Sequence, residues 1–191
     1  FNCSSDSVLH NTIFIDFKVI NKSGIDYDSI YIGKFIDFDL GCLDNDYVGC
    51  DTISNTYYFY NGSISDSICT QNAYNNILPI QSTTFLDHNL LSFISYNNNF
   101  NATGNPTKAE HYYNYLRAKW KDGTPLTSDI SNYYYGGNNP TSYMFPGNPS
   151  DPNGWSACSD SLTPADIRGL GVIGPFNFQS GEEIEFSMAH T

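Results

Sequence analysis

Apolar and polar residues alternate along several short segments of this chain. From residue 12 to residue 20, every second residue from Ile13 to Val19 is apolar, which predicts a β-strand with one apolar face. The segment 28–38 alternates in the same way and predicts a second strand. Because side chains point to opposite faces with a period of two, Asp37 and Asp39 should lie on one face at the end of this strand. Both carboxylates can then point at one ion.

Further alternating segments predict a chain built largely of strands. They lie at residues 56–60, 77–85, 90–96, 174–178 and 184–188. The last two are separated by a Gln-Ser-Gly turn, and we expect them to form a closing hairpin with an apolar inner face. The acidic stretch that runs to Asp51 is expected to be a loop, and residues 122–155 are rich in Gly, Asn, Pro and Tyr, which indicates long loops.

One segment follows the helical period instead. Its apolar positions are Ala109, Tyr112, Tyr113, Leu116 and Trp120, and this spacing predicts an α-helix at about 107–120 whose aromatic stripe packs into the core. Many short strands with one helix favour a mainly β fold, an antiparallel β-sandwich of jelly-roll kind. A length of 191 residues fits a single domain over residues 1–191.

The charge of the chain limits the kinds of partner that it can bind. A formal net charge of -12 and a sequence pI near 4.3 argue against nucleic acid as a partner, since its phosphates require a basic face. No apolar run reaches about 18 residues, so direct membrane insertion is not expected. Charged residues make up only 15% of the chain, and solubility based on neutral polar groups is common among secreted β-proteins.

Acidic residues are concentrated where the second predicted strand ends. No Lys or Arg lies between Lys34 and Lys108, so ion pairs within this segment cannot neutralise them. Two carboxylates about 6 Å apart repel by roughly 3 kcal/mol at an effective dielectric constant of about 20, and Ca²⁺ bound by carboxylate oxygens would reverse that sign. The alternatives are a solvated acidic turn and a catalytic carboxylate pair. The predicted calcium ligands are Asp37, Asp39, Asp44, Asp46 and Asp51.

Five cysteines occur without a CxxC pair, which disfavours a zinc site of the usual spacing. Disulfides formed in an oxidising compartment fit better. A Cys42–Cys50 bond would clamp the acidic loop and contribute roughly 2 to 3 kcal/mol. Alternatively, either cysteine pairs with Cys69 or remains a small buried thiol.

Sequence motifs of the common enzyme classes are missing. The chain has no GxSxG, HExxH, phosphate-cradling GxxxxGK or dinucleotide fingerprint. Two carboxylates suffice for glycoside hydrolysis, so a hydrolase fragment remains an alternative, with Glu110, Glu182, Glu183 and Glu185 as its open candidates. Five aromatic residues of the long loops support two further interpretations: they are sugar-stacking surfaces, or they pack within their own loop. They are Tyr133, Tyr134, Tyr135, Tyr143 and Trp155.

Segments 28–41, 46–51, 115–125, 143–151, 166–170 and 174–176 together resemble a module of large secreted or cell-surface proteins of the Bacteroidota, exported by the type IX secretion system. The resemblance implies a bacterial cell-surface or secreted location and an internal piece of a longer polypeptide. Asp followed by Ser or Thr and an aliphatic residue also resembles the O-glycosylation signal of those bacteria. The resulting glycosylation candidates are Ser7, Thr52, Ser67 and Ser161.

The sequence therefore predicts a non-enzymatic, extracellular structural or adhesin-like module stabilised by calcium. A carbohydrate-binding module that uses the loop aromatics and a fragment of a secreted hydrolase are the alternatives. Expected partners are neighbouring domains or copies of the same protein, and possibly glycans. Sheet edges are the natural places for such self-association.

Overall fold

The computed structural model describes residues 9–65, 73–74, 77–129 and 134–191, and its strands form two antiparallel sheets that pack against each other. The larger sheet has the order β1 (Ile13–Ile20), β8 (Glu183–His190), β5 (Ile80–Phe85), β4 (Thr56–Asn61) and β3 (Asp46–Asp51). The smaller sheet has the order β2 (Tyr27–Ile36), β7 (Ile167–Phe178) and β6 (Ser92–Asn97). The predicted mainly β sandwich is confirmed.

The first two strands of the chain pair with the last two, one pair in each sheet. β1 pairs with β8 and β2 pairs with β7, as in a jelly roll, while β3, β4 and β5 form a meander that extends the larger sheet. The predicted closing hairpin is therefore wrong, because β7 and β8 lie in different sheets. The turn between them is tied to the β1–β2 connection, where Asn21 N–H donates to Glu182 O at 3.0 Å and Gly181 N–H donates to Asn21 O at 2.8 Å.

Aromatic rings of the larger sheet fill the space between the sheets. Tyr57 and Phe59 on β4 are fully buried, and the Tyr57 ring stacks on Phe93 of β6 with centroids 5.2 Å apart. Gly169 and Gly171 on β7 lie beneath these rings. A Cβ at Gly171 would be 2.4 Å from Tyr57 Cε1, and one at Gly169 would be 2.8 Å from Phe59 Cζ.

The second half of the predicted acidic loop is strand β3. Residues 46–50 are buried, because the strand pairs with β4 along its whole length and loop residues cover its other edge. Five residue steps of about 3.3 Å separate Asp46 from Asp51. Their Cα atoms therefore lie roughly 17 Å apart, too far for the two short side chains to bind one ion.

The predicted helix is shorter than expected and buries a different face. Helix α1 spans Ala109–Tyr115, with Asn114 and Tyr115 buried and Tyr112 and Tyr113 56% and 44% exposed. Ala118 adopts a left-handed φ of 51°, so the chain turns away after one more turn. The expectation that the Tyr112 and Tyr113 rings pack into the core is wrong for this reason, while the buried indole expected at position 120 is confirmed.

Candidate metal centre and adjoining groove

Three carboxylates meet at one end of the smaller sheet. Asp37 and Asp39 follow β2 directly, and Asp166 directly precedes β7, its neighbour in the sheet. One carboxylate oxygen from each residue lies within 4.8 Å of the other two. We call these three residues the acidic cluster. Asp37 and Asp39 lie together as the sequence predicts, although β2 already ends at Ile36, and the β2–β7 pairing adds Asp166.

One guanidinium lies against the acidic cluster. Arg168 is on the same face of β7, and its NH2 group lies 3.2 Å from Asp37 Oδ2 while NH1 donates to Asp166 Oδ1 at 2.8 Å. Asn98 Nδ2 donates to the other Asp166 oxygen at 3.1 Å. Three carboxylates against one guanidinium leave two negative charges in excess.

The pKa of the Asp37 carboxyl is shifted by its burial and by the charges beside it. Desolvation raises the pKa of the Asp37 carboxyl, and the charges of Asp166 and Asp39 raise it further, while Arg168 lowers it. The folded protein therefore favours the neutral form of this carboxyl more than the unfolded chain does. A cation at the acidic cluster would favour the charged form instead, since opposite charges within about 4 to 6 Å stabilise an ionised carboxylate.

Asp46 braces the two segments that carry the acidic cluster. It is 1% exposed, and its Oδ2 accepts a hydrogen bond from Leu40 N–H at 3.1 Å. Its backbone carbonyl accepts a bond from Ala165 N–H at 3.3 Å. Leu40 and Ala165 are the direct chain neighbours of Asp39 and Asp166, so Asp46 holds both in register beneath the cluster.

The two remaining predicted calcium ligands lie outside the acidic cluster. Asp44 is exposed in the turn before β3. Asp51 closes the β3–β4 hairpin: its Oδ1 accepts bonds from Ile53 N–H at 2.9 Å and Ser54 N–H at 3.4 Å, and its Oδ2 accepts one from Ser54 Oγ at 2.7 Å. Those bonds, chiefly the one from the Ser54 hydroxyl, lower the pKa of the Asp51 carboxyl.

The cysteines do not clamp the acidic segment as predicted. Cys50 is a free thiol, 1% exposed on β3, and donates to Met144 O at 3.4 Å. Burial raises the pKa of its thiol to about 12. Cys158 is free and exposed, whereas Cys42 is disulfide-bonded. The predicted Cys42–Cys50 bond is wrong because the Cys50 side chain is buried beneath the Met144 segment, and Cys69 lies outside the described residues.

The predicted sugar-stacking rings have partners within their own loops. Trp155 packs edge to face against Phe145 and Tyr134, with centroids 5.6 and 5.2 Å away. Its Nε1 donates to Asp160 Oδ2 at 3.0 Å, and the Tyr134 hydroxyl donates to the same oxygen at 2.5 Å. The half-buried Trp155 thus belongs to a small aromatic cluster assembled around one carboxylate.

Two further loop tyrosines use their hydroxyls to hold distant segments together. The Tyr135 hydroxyl donates to Asp122 Oδ2 at 2.6 Å, and the Tyr143 hydroxyl donates to Leu90 O at 2.8 Å. Tyr133 lies outside the described residues. Of the glycosylation candidates, Thr52 and Ser161 are exposed in loops, and Ser7 and Ser67 lie outside the described residues.

Exposed aromatic rings instead occur beside the acidic cluster. A groove of about 460 Å³ runs between the outer face of the smaller sheet and helix α1. Phe35 on β2 and Tyr112 on α1 are 47% and 56% exposed there. Arg168 lines the groove and connects it to the acidic cluster. The groove is also lined by Tyr96, Asn105, Pro106, Tyr115 and Leu170.

Another cavity, of about 450 Å³, lies between β6 and the loops that cover it. Its walls include Trp120, Met144 and Ile167, with Ser95 and Thr103 as polar groups. No carboxylate, histidine or cysteine is among its described lining residues, so these offer no general acid or base of the usual kind. Two of the glutamates left open for hydrolysis bind the same lysine on the surface of the larger sheet. Those glutamates are Glu183 and Glu185, and the lysine is Lys18.

Asp166 and Arg168 are the site residues that the sequence reasoning missed. Both alternate with apolar Ile167 and with Gly169 in the segment that opens β7. That alternation is a signal for one polar face on a strand. It predicts that the two side chains share a face, but it does not predict that this face adjoins Asp37.

No family model, no curated protein and no solved structure matches this chain. Within the described residues, no helix has both the length and the apolar character needed to span a bilayer. The acidic cluster and the groove are the two features of the described residues that bear on function.

Proposed function

We propose that this protein is a non-catalytic, extracellular structural or adhesin-like module of a bacterial surface or secreted protein, stabilised by one Ca²⁺ ion at the acidic cluster. The ion would join the end of β2 to the start of β7. Its role would be to fix the loops at this end of the sandwich, so that the module keeps its shape outside the cell.

The convergence of Asp37, Asp39 and Asp166 carries this proposal. Oxygens bound to one Ca²⁺ at 2.3 to 2.6 Å lie at most about 4.6 to 5.2 Å apart, and the limit of 4.8 Å between the cluster oxygens fits that range. All three ligands are hard carboxylates, which suit Ca²⁺ and not softer metals. The two excess negative charges match the charge of the ion.

The non-catalytic part of the proposal rests on the cavity between β6 and its covering loops. The titratable groups described in its lining are the tyrosines Tyr96 and Tyr134. Burial raises the pKa of Tyr96 to about 12 and raises that of Tyr134 further, so both stay protonated at neutral pH. Such a lining favours packing over proton transfer.

Calorimetric unfolding with and without calcium tests the proposal. At a free Ca²⁺ concentration about 100 times its Kd, binding adds about 2.7 kcal/mol to the free energy of unfolding. For a domain of this size that corresponds to a rise in Tm of about 5 to 10 °C. We expect this rise in the wild type and its loss in Asp39→Asn.

Asp39→Asn is a clean variant because none of the described hydrogen bonds uses the Asp39 carboxylate. Asp44→Asn is the matched control, since it removes one exposed carboxylate from the neighbouring turn and should keep the full response to calcium. A Tm that is the same in EDTA and in excess Ca²⁺ would show that the acidic cluster is only a solvated, Arg-paired group.

The groove beside the acidic cluster supports a second candidate function, the binding of a neutral glycan. The exposed faces of Phe35 and Tyr112 offer stacking surfaces for the C–H face of a sugar ring, and Arg168 and Asn105 offer donors for its hydroxyls. Small-ligand sites typically combine such aromatic walls with a few fixed polar groups. This candidate places sugar binding on α1 and β2 instead of the loop aromatics.

A glycan array probed with the wild type, Phe35→Ala and Tyr112→Ala tests this candidate. We expect binding that falls at least tenfold in both variants. Ile53→Ala is the control, because the Ile53 side chain is 93% exposed in the turn between β3 and β4, away from the groove and from β1. An array without signal, or a signal that depends on Trp155 and not on Phe35, would contradict it.

A further inference from the structure

Two of the four sheet edges are covered by loop backbone. At the outer edge of β3, Cys50 N–H donates to Phe145 O at 3.1 Å. At the outer edge of β6, Phe93 N–H donates to Ser142 O at 2.9 Å, and its carbonyl accepts from Met144 N–H at 3.0 Å. The segment around residues 142–145 thus closes one edge of each sheet, which is a common protection against unwanted strand pairing.

The third edge is interrupted. β2 shifts register twice in its pairing with β7, between Tyr27 and Ile32, and Ser29 within it has a left-handed φ of 56°. Bulges of this kind twist an edge and break the row of backbone groups that another strand would need.

β1 forms the fourth edge, and among the described residues it has neither a covering loop nor a bulge. Its eight residues pair with β8 in unbroken register from Ile13 to Ile20, and no strand in the described part of the chain pairs with its other side. Ile13 and Phe14 are 64% and 57% exposed, and Val19 and Ile20 are each 38% exposed. A long, regular, apolar edge strand is the kind that pairs with another chain.

We infer that β1 pairs antiparallel with β1 of a second copy, in a register centred on Phe17, to give a continuous sheet of ten strands. When two identical strands pair antiparallel about a two-fold axis, odd-numbered residues lie opposite odd-numbered ones and even-numbered residues opposite even-numbered ones. Each permitted register therefore has one residue at its centre, opposite its own copy. The register centred on Phe17 sets Asp16 opposite Lys18 of the second copy, and it does so twice.

The side chains decide between the permitted registers. With Phe17 at the centre, Ile15 faces Val19 and Phe14 faces Ile20, so apolar residues meet on both faces of the new pair. A centre at Asp16 would instead oppose two aspartates, and a centre at Lys18 would oppose two lysines. Like charges directly opposite each other destabilise a strand pair. Centres at Ile15 or Val19 would set a charged residue opposite an apolar one, Asp16 opposite Phe14 or Lys18 opposite Ile20, which leaves Phe17 as the favoured centre.

Neighbouring charges are compatible with this register. Within its own sheet Lys18 binds Glu183 at 2.6 Å and Glu185 at 2.9 Å, and Asp16 accepts from the Ser187 hydroxyl at 2.7 Å. In the dimer each Lys18 would lie among three carboxylates, those of Glu183 and Glu185 in its own sheet and that of Asp16 of the second copy. Lys18 would thus bind acidic groups of both copies. Its replacement by an acid should separate the copies.

Sedimentation of the full chain from about 5 to about 200 µM, a range that brackets micromolar affinity, tests the inference. We expect a monomer–dimer equilibrium in the wild type. Asp16→Lys and Lys18→Asp should each weaken the dimer at least tenfold, because both opposed pairs then carry like charges. Mixing the two variants should give a heterodimer, and the double variant carrying both changes should dimerise again.

Asp44→Lys is the matched control, since it changes the net charge as Asp16→Lys does but lies away from β1, and it should leave the dimer intact. A second measurement does not rely on charge. In a Cys158→Ser background, mixed Asp16→Cys and Lys18→Cys proteins should form a disulfide, because opposed Cα atoms lie about 4.5 to 5.5 Å apart.

The dimer should persist in EDTA, since β1 and the acidic cluster belong to different sheets, so failure of the calcium proposal and failure of this inference are distinguishable. A wild type that stays monomeric throughout the concentration range would overturn the inference. So would a dimer that survives both single charge reversals.

Discussion

Asp37 lies beside two other carboxylates and one guanidinium, and desolvation raises its pKa above the ordinary value of 3.8. Between pH 3.8 and the raised pKa of Asp37 in the folded protein, the folded state binds more protons than the unfolded state. The contribution of Asp37 to the free energy of unfolding is therefore greatest below pH 3.8 and falls as the pH rises through that window. A bound cation would act in the opposite direction.

Replacement of Asp37 by Asn should therefore have effects of opposite sign in the two conditions. In EDTA at neutral pH we expect Tm to rise by about 1 to 2 °C, since about 0.5 kcal/mol of screened repulsion is removed. In excess Ca²⁺ we expect the variant to be less stable than the wild type. Calorimetry from about pH 3 to about pH 7 in both conditions measures this, and a drop in Tm in EDTA would contradict it.

At the scale of elements, the β3–β4 hairpin illustrates how an acidic side chain closes a turn by accepting hydrogen bonds. Asp51 accepts three hydrogen bonds from Ile53 and Ser54, which closes the turn between the strands. Asn55 in the same turn has a left-handed φ of 55° and accepts a bond from Leu90 N–H at 3.0 Å. The hairpin is thus fixed by short polar side chains in the turn.

Asp51→Ala should lower the free energy of unfolding by about 0.5 to 1 kcal/mol at neutral pH, a range reduced because the carboxylate is exposed. Because hydrogen bonds lower the pKa of Asp51, its contribution is present above the unfolded pKa and is lost as the pH falls through the folded one. Denaturant unfolding at neutral and acid pH measures this. Asp44→Ala is the control, and loss of the calcium response in Asp51→Ala would contradict the assignment.

At the scale of the whole molecule, the two sheets approach closely because β7 presents glycines where β4 presents rings. The Tyr57 side chain is fully buried and has two fixed contacts. Its ring stacks on Phe93, and its hydroxyl donates to Lys34 O at 2.9 Å. A methyl group at Gly171 would meet this ring, which has no room to move away. The distance between the sheets therefore depends on a residue without a side chain.

Gly171→Ala should lower the free energy of unfolding by about 1 to 3 kcal/mol, as expected for overpacking of a well-filled core. Gly154→Ala is the matched control, because a Cβ there would make only ordinary contacts at 3.5 Å and should change stability little. Denaturant unfolding of both variants gives the comparison. Equal stabilities would mean that the sheets can separate to accept the added methyl group.

The sequence by itself determined the local parts of this protein. Alternation of apolar residues determined most strands, and the spacing of two residues predicted that Asp37 and Asp39 lie together, because both depend only on near neighbours in the chain. Acidic composition located the segment that contains the candidate site. The helical period at residues 109–120 was less informative, since Ala118 turns the chain after one short helix.

Only the tertiary structure decided which acidic residues meet. Asp166 and Arg168 reach Asp37 through the pairing of β2 with β7, strands that are more than 100 residues apart in the chain. The periodicity of a sequence describes near neighbours and does not predict such a contact. The β2–β7 pairing also placed β7 and β8 in different sheets. Pairing with β4 made the second half of the predicted acidic loop into strand β3, which separates Asp51 from the acidic cluster. Strand partners depend on how two sheets bury their faces together, and that is a property of the whole molecule.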